Sequence, residues 1–317
     1  MTLEQAVKTY VADKSHISVG GFTLSRNPMA AVHEIIRQGI KGLHLYAHSN
    51  GQGLDELVGA GAVAKVEIAY SGNGRFAPTC LCFKRHVIEN QLMVEDYTNF
   101  QMALRFLAGA MGVPFLPTTT SLGTDIIEKW GFDKDLRKAD ERLSKKKLEV
   151  IDNPFSRNHI PEKIVLVPAI HPDVTLIHAQ MADTHGTVRI KGLTFSDVEQ
   201  AKASRHVIVT CDELLPPGIL NQDPQANQLP SFCVDAVVHV PFGAYPTACY
   251  GLYDYDPAFL DQYRDTAETQ EKFNAYVREF ILETKNHEGF LQKACGKRIE
   301  ELRADPETGY SNRIKRR

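Results

Sequence analysis

No apolar run in the 317-residue sequence approaches the roughly 20 residues that a helix needs to cross a bilayer, which excludes a helical membrane span. Charge of one sign is equally scarce. The 36 Lys and Arg residues face 39 Asp and Glu for a net charge of -3, so there is no basic excess of the kind that coats nucleic acid or an anionic membrane. Six cysteines, Cys80, Cys82, Cys211, Cys233, Cys249 and Cys295, form no CxxC pair and no zinc spacing, and they read as reduced thiols of a cytoplasmic protein. Met1 to Ala6 has neither a basic n-region nor a long apolar core, so no signal peptide is expected. The basic end, Arg313-Ile314-Lys315-Arg316-Arg317, reads as a short solvated terminus. There is no internal repeat and no low-complexity stretch.

Several catalytic signatures are missing as well. Gly51-Gln52-Gly53 lacks the third glycine of a dinucleotide fingerprint, no Gly-Lys-Ser/Thr marks a nucleotide phosphate loop, and no Gly-x-Ser-x-Gly elbow supports Ser-His-Asp catalysis. His171, His178, Asp183 and His185 resemble ligands, but their spacing does not fit a His-x-x-x-His helix, and no metal is expected.

What is present is an ordinary soluble composition, 43% hydrophobic and 24% charged, long enough to bury a large core. Apolar β-branched runs at His16–Val19, Leu43–Ala47, Ala64–Tyr70, Phe115–Pro117, Lys163–Val167, Thr175–Gln180, His206–Thr210 and Val234–Val240 read as short buried strands. Helical patterns alternate with them at Pro28–Gln38, Asp55–Ala60, Phe76–Glu89, Thr98–Met111 and Thr194–Ala203. That order predicts an α/β fold, an open, mainly parallel sheet with helices on both faces, as one domain over 1–317. Residues 129–160 read as a charged excursion, densest from Lys129 to Leu148 and solvated. Residues 256–304 read as a C-terminal helical segment that wraps the core or meets another subunit.

The richest stretch is Ile17-Ser18-Val19-Gly20-Gly21-Phe22-Thr23-Leu24-Ser25-Arg26-Asn27-Pro28, a strand that ends in paired glycines beside an aromatic, with a helix start behind Pro28. Its glycines leave no side chain between the backbone amides and a ligand, and oriented amides near a helix N-terminus suit a phosphate or an oxyanion. Two more loops follow predicted strands, Ala47-His48-Ser49-Asn50-Gly51-Gln52-Gly53 and Ala69-Tyr70-Ser71-Gly72-Asn73-Gly74. In an open parallel sheet all three emerge on the edge where ligands bind.

With Tyr97-Thr98-Asn99-Phe100 ahead of Ala103 to Phe115, Thr119-Ser121-Leu122-Gly123-Thr124, and Ala179-Gln180-Met181-Ala182-Asp183-Thr184-His185-Gly186, the arrangement resembles the A half of the family I coenzyme A transferases over nearly the whole chain. The family signature is kept at Asp13, Gly20-Gly21-Phe22 and Pro28, and departs at Lys14, Ser18 and Arg26. The resemblance implies the coenzyme A transferase fold, similar to sugar-phosphate isomerases. It implies transfer of CoA from an acyl-CoA to a carboxylic acid, with a dicarboxylic acyl group such as glutaconyl and acetate as the expected pair. No cofactor is implied, the CoA thioester being a substrate.

In that family a glutamate of the B half attacks the thioester, within a Ser-Glu-Asn-Gly motif that this sequence lacks. Ser71-Gly72-Asn73-Gly74 carries glycine at the required position, and Ile88-Glu89-Asn90-Gln91 lacks both the serine and the glycine. The resemblance therefore implies half of an enzyme, whose partner is a B subunit in an A2B2 or A4B4 assembly. Gly20, Gly21 and Phe22 would line the acyl or CoA end of the cleft. Asn50 would donate to the thioester oxygen, Asn99 would replace a related glutamine, and Ser71, Gly72 and Asn73 would form the adjacent wall. Arg26, in place of the signature glycine, is a candidate for pairing with the distal carboxylate of a dicarboxylic acid, against a solvent-facing arginine. Lys84 and Arg85 are candidates for the CoA phosphates. Two other readings stay open: a hydrolase that opens a ring or cleaves a β-keto acyl-CoA on the same architecture, and a ligand-sensing domain.

Overall fold

The computed structural model describes residues 1–316. Its strands are β1 (His16–Val19), β2 (Leu43–Asn50), β3 (Val63–Ser71), β4 (Met93–Asp96), β5 (Phe115–Thr118), β6 (Glu149–Asp152), β7 (Lys163–Pro168), β8 (Val174–Asp183), β9 (Val188–Arg189), β10 (His206–Leu215) and β11 (Ala236–His239). The helices are α1 (Leu3–Tyr10), α2 (Met29–Arg37), α3 (Gln52–Gly59), α4 (Leu81–Ile88), α5 (Asn99–Met111), α6 (Asp125–Glu128), α7 (Lys134–Ala139), α8 (Asp197–Ala203), α9 (Pro257–Ala267), α10 (Gln270–Tyr276), α11 (His287–Ala294) and α12 (Ile299–Leu302).

The main sheet runs β11-β10-β8-β1-β2-β3-β4 with every one of these pairs parallel, and the short β9 pairs antiparallel with β8. Alternation along β2 sends successive side chains to opposite faces. Leu45 enters a core shared with α1, α2, α3 and the C-terminal helices, while Tyr46 enters one shared with α5 and the second sheet. The C-terminal segment wraps the first core, to which it gives Phe259, Tyr263, Phe273, Tyr276, Phe280 and Phe290.

Four expectations change. Phe115–Pro117 and Lys163–Val167 are strands, but they belong to a separate three-stranded antiparallel sheet, β5-β7-β6, laid over one face. The expected helix from Phe76 begins only at Leu81, because Phe76 to Cys80 closes a turn through Asn73 and Ala77 and includes Pro78. The Lys129 to Leu148 interval is solvated only in part, its exposed lysines alternating with groups that pack on the sheet. Phe132 and Lys147 are fully buried, Arg137 pairs with Glu95, and Lys65 of β3 reaches Asp140 at 2.6 Å. The basic end is likewise docked: Arg316 pairs with Asp254 and lies 3.9 Å over the Tyr310 ring, while Arg317 is outside the described residues.

Candidate active site

All strands of the main sheet bar β9 point the same way, so the loops after β1, β2 and β3 share one edge. They meet closely. Thr23 donates its amide to Ser49 O at 3.1 Å, Gly72 donates to Asn50 O at 3.3 Å, and Asn73 Nδ2 donates to Gln52 Oε1 at 2.8 Å. Gly51 sits at the junction: a Cβ there would lie 2.7 Å from both Gly72 O and Thr23 O, so no larger residue fits.

The glycine turn is held from beneath by side chains. Gly21 has φ +80, and a Cβ on it would come within 2.6 Å of Arg26 O and Ser25 O. Its amide donates to Asp197 Oδ1 at 2.8 Å, and the other oxygen of that carboxylate pairs with the Arg26 guanidinium. Arg26 also donates to His178 O at 3.2 Å and Leu193 O at 2.8 Å. Three non-glycine residues here, Thr23, Arg26 and Phe195, take left-handed angles, and Phe195 stacks on Phe22 with centroids 4.8 Å apart. Such backbone persists only where its surroundings over-determine it. A fully buried carboxylate that ties one turn amide and one guanidinium is that determinant.

This changes the reading of several residues. The amides of Gly20, Gly21, Phe22 and Thr23 all have partners within the chain, Leu176 O, Asp197, Ser25 O and Ser49 O, so the glycines serve the turn's shape rather than leaving amides free for a ligand. Arg26 is neither solvent-facing nor free for a substrate carboxylate, since it is buried and already paired. Asn50 is fully buried too. Its Nδ2 donates to Gly20 O at 3.0 Å and its Oδ1 accepts from Leu54 N at 2.9 Å, which makes it a clamp between two loops instead of the expected oxyanion donor. Arg85 is turned away, bound to Ala267 O and to Gln270 Oε1 at 3.0 Å of the C-terminal segment, whereas Lys84 is exposed.

Asn99 is exposed at the start of α5, where its Oδ1 accepts from Ser49 Oγ at 2.6 Å. Ser71, Gly72 and Asn73 are buried at the end of β3, and Ser71 Oγ and Asn73 Oδ1 have no partner among the described residues. His48 Nδ1 is also unpartnered, with its ring 5.6 Å from that of Phe22. Burial pushes the His48 imidazole pKa below its ordinary value, against the opposing pull of the Asn99 backbone and Asp197, so it stands neutral near pH 7.

Sequence reading missed Asp197 and Asn27. Asn27 donates to Thr23 O at 3.1 Å and accepts from Gly53 N at 3.1 Å. The signal available was Asp at the first turn of α8 and an Arg where the signature has glycine. Nothing in the sequence shows that residues 171 positions apart meet.

Grooves lie elsewhere on the molecule. A groove of about 1120 Å³ runs between α1, the end of β11 and α11, and one of about 950 Å³ lies among the lysines around Trp130. Neither includes the loop convergence. Two side-chain groups bring three metal-ligand atoms within 4.8 Å, His16 with His44 and Asp140, and His178 with Asp212 and Cys249. Lys65 and Arg142 crowd the first and repel a cation. In the second, both His178 nitrogens are engaged, at 2.8 Å to Thr210 Oγ1 and 2.7 Å to Asp212 Oδ2, and burial raises the Cys249 thiol well above its ordinary range.

Comparison with known proteins agrees with this geometry. A family model described as Coenzyme A transferase matches residues 1–240. The chain is 40% identical over 310 residues to the A-type chain of glutaconate CoA-transferase of Acidaminococcus fermentans, covering 98% of this chain and 96% of that protein. The crystal structure of that organism's glutaconate coenzyme A-transferase superposes with a TM-score of 0.94 over 98% of this chain and 97% of that one. It is also 33% identical to the A-type chain of 3-oxoadipate CoA-transferase of Pseudomonas knackmussii, over 92% of this chain and 97% of the relative. A structure of a variant of the decarboxylase AibA/AibB matches at 30% identity and a TM-score of 0.69, over 88% of this chain and 98% of that one. The chain belongs to the coenzyme A transferase family, and the two CoA-transferase relatives are each the A subunit of their enzyme.

Proposed function

We propose that this protein, together with its B partner, moves CoA between acetate and a short dicarboxylic acid of the glutaconate type. The observation that carries this reading is identity to the A-type chain of glutaconate CoA-transferase along almost the full length of both proteins.

The chemistry is a carboxylate relay. A glutamate on the B partner attacks the thioester carbonyl and expels CoA thiolate, leaving an acyl-glutamyl anhydride. The thiolate then attacks the glutamyl carbonyl and releases the acyl group as its free carboxylate, which leaves a glutamyl-CoA thioester. The acceptor acid runs the two steps backwards and departs as the new acyl-CoA. A carboxylate is a weak nucleophile in water, so the site must hold it close and exclude solvent.

On this reading the chain supplies one wall of the cleft. Phe22 and Phe195 give an apolar stack for the acyl or pantetheine portion. The unpartnered polar atoms of His48, Ser71 and Asn73 are the hydrogen-bonding groups within reach, with Asn99 at the mouth. Asn50, Asp197 and Arg26 act through the backbone as positioning residues. CoA enters only as substrate, and the assembly is A2B2 or A4B4.

The test is transfer of CoA from glutaconyl-CoA to acetate by the chain alone and by the chain mixed with its B subunit. Acetyl-CoA formed only by the mixture is the expected result. Thioester hydrolysis without acetyl-CoA, or decarboxylation of the acyl group, overturns the transferase reading.

A further inference from the structure

A partly enclosed pocket of about 240 Å³ lies on the α5 side of the sheet, toward the N-terminal ends of β1, β2 and β3. It is smaller than the roughly 300–1,000 Å³ of most ligand pockets, so it suits a molecule of a few heavy atoms. Its inner wall is polar and charged, built from His16, Tyr46, Glu67 and Arg105, none more than 3% exposed. Arg142 stands at the mouth, its side chain half exposed and held by Asp173 Oδ2 at 3.0 Å and Lys14 O at 3.2 Å.

Along this wall the acceptors are used and donors are left over. Glu67 faces the Arg105 guanidinium with one oxygen and lies 3.0 Å from His44 Nε2 with the other. Arg105 gives Nε to Pro168 O at 3.2 Å and Nη1 to Glu67, and its Nη2 makes no hydrogen bond among the described residues. Tyr46 Oη lies 2.6 Å from His16 Nδ1. Burial keeps the Tyr46 phenol protonated, while burial together with His44 and Arg142 holds the His16 imidazole neutral. With both groups neutral, donation from Tyr46 to Nδ1 leaves one hydrogen on Nε2, whereas the reverse strands both the phenol hydrogen and the Nε2 lone pair. His16 Nε2 is thus a buried donor without a partner among the described residues, 3.7 Å from Asp140 Oδ2 and beyond hydrogen-bond distance.

We infer that this pocket is a binding site for a small carboxylate anion. Two guanidiniums line it against one carboxylate, and the two unused polar groups, His16 Nε2–H and Arg105 Nη2, are both donors. The acids behind the wall, Asp140 and Asp173, are already paired with Lys65 and Arg142. A guanidinium matches the two oxygens of a carboxylate, and the apolar side of the pocket, Leu143 and Ile170, suits a short hydrocarbon tail better than a phosphate, which is polar on every side. Bound there, the anion ties α5, through Arg105, to β1, through His16, and to the 141–144 segment, through Arg142. The site is separate from the loops after β1, β2 and β3, and it stands whether or not those loops transfer CoA.

The test uses the full chain carrying nitrogen-15-labelled histidine, with the His16 signals assigned by their loss in His16→Gln. Sodium acetate should move the His16 Nε2–H signal saturably, while sodium chloride at equal ionic strength and inorganic phosphate should not. Arg142→Met should weaken the acetate response about tenfold, the worth of one charge-assisted hydrogen bond, and Arg264→Met on exposed α9 should leave it unchanged. Ala169→Leu, which fills the pocket without removing a charge, should abolish the response. A signal that ignores acetate, or that drifts equally in all three salts, means that the pocket holds only water and overturns the inference. Saturation by phosphate alone overturns it too, as does a full acetate response in folded Arg142→Met or Ala169→Leu.

Discussion

At the C-terminal ends of the strands one buried ion pair, Arg26 with Asp197, lies among left-handed residues at Gly21, Thr23, Arg26 and Phe195. At the opposite ends Glu67, Arg105, His44, Asp140 and Lys65 form a larger network beneath strands that carry a register shift at Leu43/His44 but no left-handed residue. Both use buried carboxylates with cationic partners, but they act on different things. The upper pair grips backbone, since Asp197 accepts a turn amide and Arg26 donates to two carbonyls. The lower network grips elements, joining α5 through Arg105 and the Lys129 to Leu148 segment through Asp140 to the strands. Buried charge beside left-handed backbone shapes the site, and buried charge beneath extended strands holds the layers together.

The comparison breaks most sharply at Asp197. Asp197→Asn keeps the shape and removes the charge, so Arg26 is left buried without a counter-ion at a cost of about 3–5 kcal/mol. The glycine turn then loses its fixed position, and a displacement of about 1 Å in a reacting site is worth on the order of 100-fold in rate. The expected result is a loss of that size in kcat with the wild-type B partner, in a chain that circular dichroism shows to be folded.

Glu67→Gln is the matching experiment on the lower network. Burial alone would raise the Glu67 carboxyl, but the Arg105 guanidinium and His44 outweigh it and hold its pKa below the ordinary range, so its charge is part of the folded state above pH 4.5 and is lost only in acid. Removing it should cost about 3 kcal/mol in urea unfolding. Transfer by the folded fraction should stay within about twofold, because Glu67 grips elements rather than the turn. A kcat loss equal to that of Asp197→Asn would erase the distinction between the two ends.

The strand segments, the three loops and their common edge were legible in the sequence because period-2 runs and glycine turns are local signals, whereas the spatial order of the strands was not. The partners of those loops were not. Asp197 and Arg26 look like a helix-start acid and a surface base until the fold brings them together across 171 positions. The charge run of Lys129 to Leu148 predicts solvation, and most of its lysines are exposed, yet Arg137 and Lys147 are buried, paired with buried Glu95 and with exposed Asp96, which composition does not reveal. The antiparallel second sheet was missed because short apolar strands carry no mark of which sheet they join.

Asp55 on α3 sharpens the comparison as a buried carboxylate without an ion-pair partner. It accepts from Phe83 N at 2.8 Å and Tyr263 Oη at 2.7 Å, but burial dominates and lifts its pKa to about 6. The folded state then binds a proton more tightly than the unfolded chain, whose value is near 3.8. Stability from this group is therefore full below pH 3.8 and falls as pH rises through 6, by up to about 3 kcal/mol. Buried His16 and His287, both lowered to about 3 mainly by burial, run the other way and lose stability as pH falls below 6.5. The difference in urea-unfolding free energy between the parent and Asp55→Asn cancels the histidine contributions. It should shift in favour of the variant by about 2–3 kcal/mol from about pH 4 to pH 7, and a difference independent of pH would show that Asp55 titrates normally.

The smallest effect tests whether the strain at Phe195 is part of the site's construction. With φ at +51, the residue occupies a conformation that costs about 1–3 kcal/mol for a bulky side chain, against about 0.5–1.5 kcal/mol returned by its stack on Phe22. Phe195→Gly removes both and adds about 1 kcal/mol of unfolded-state entropy, so its stability should stay within about 1 kcal/mol of the parent. Phe195→Ala keeps the left-handed backbone and loses the stack, so it should be the less stable of the two. If the ring serves only as a cleft wall, both variants should raise KM for the acyl-CoA by the same few-fold factor with kcat nearly unchanged. A kcat loss confined to the glycine variant would mean that the rigid left-handed turn itself, rather than the aromatic face, positions the reacting groups.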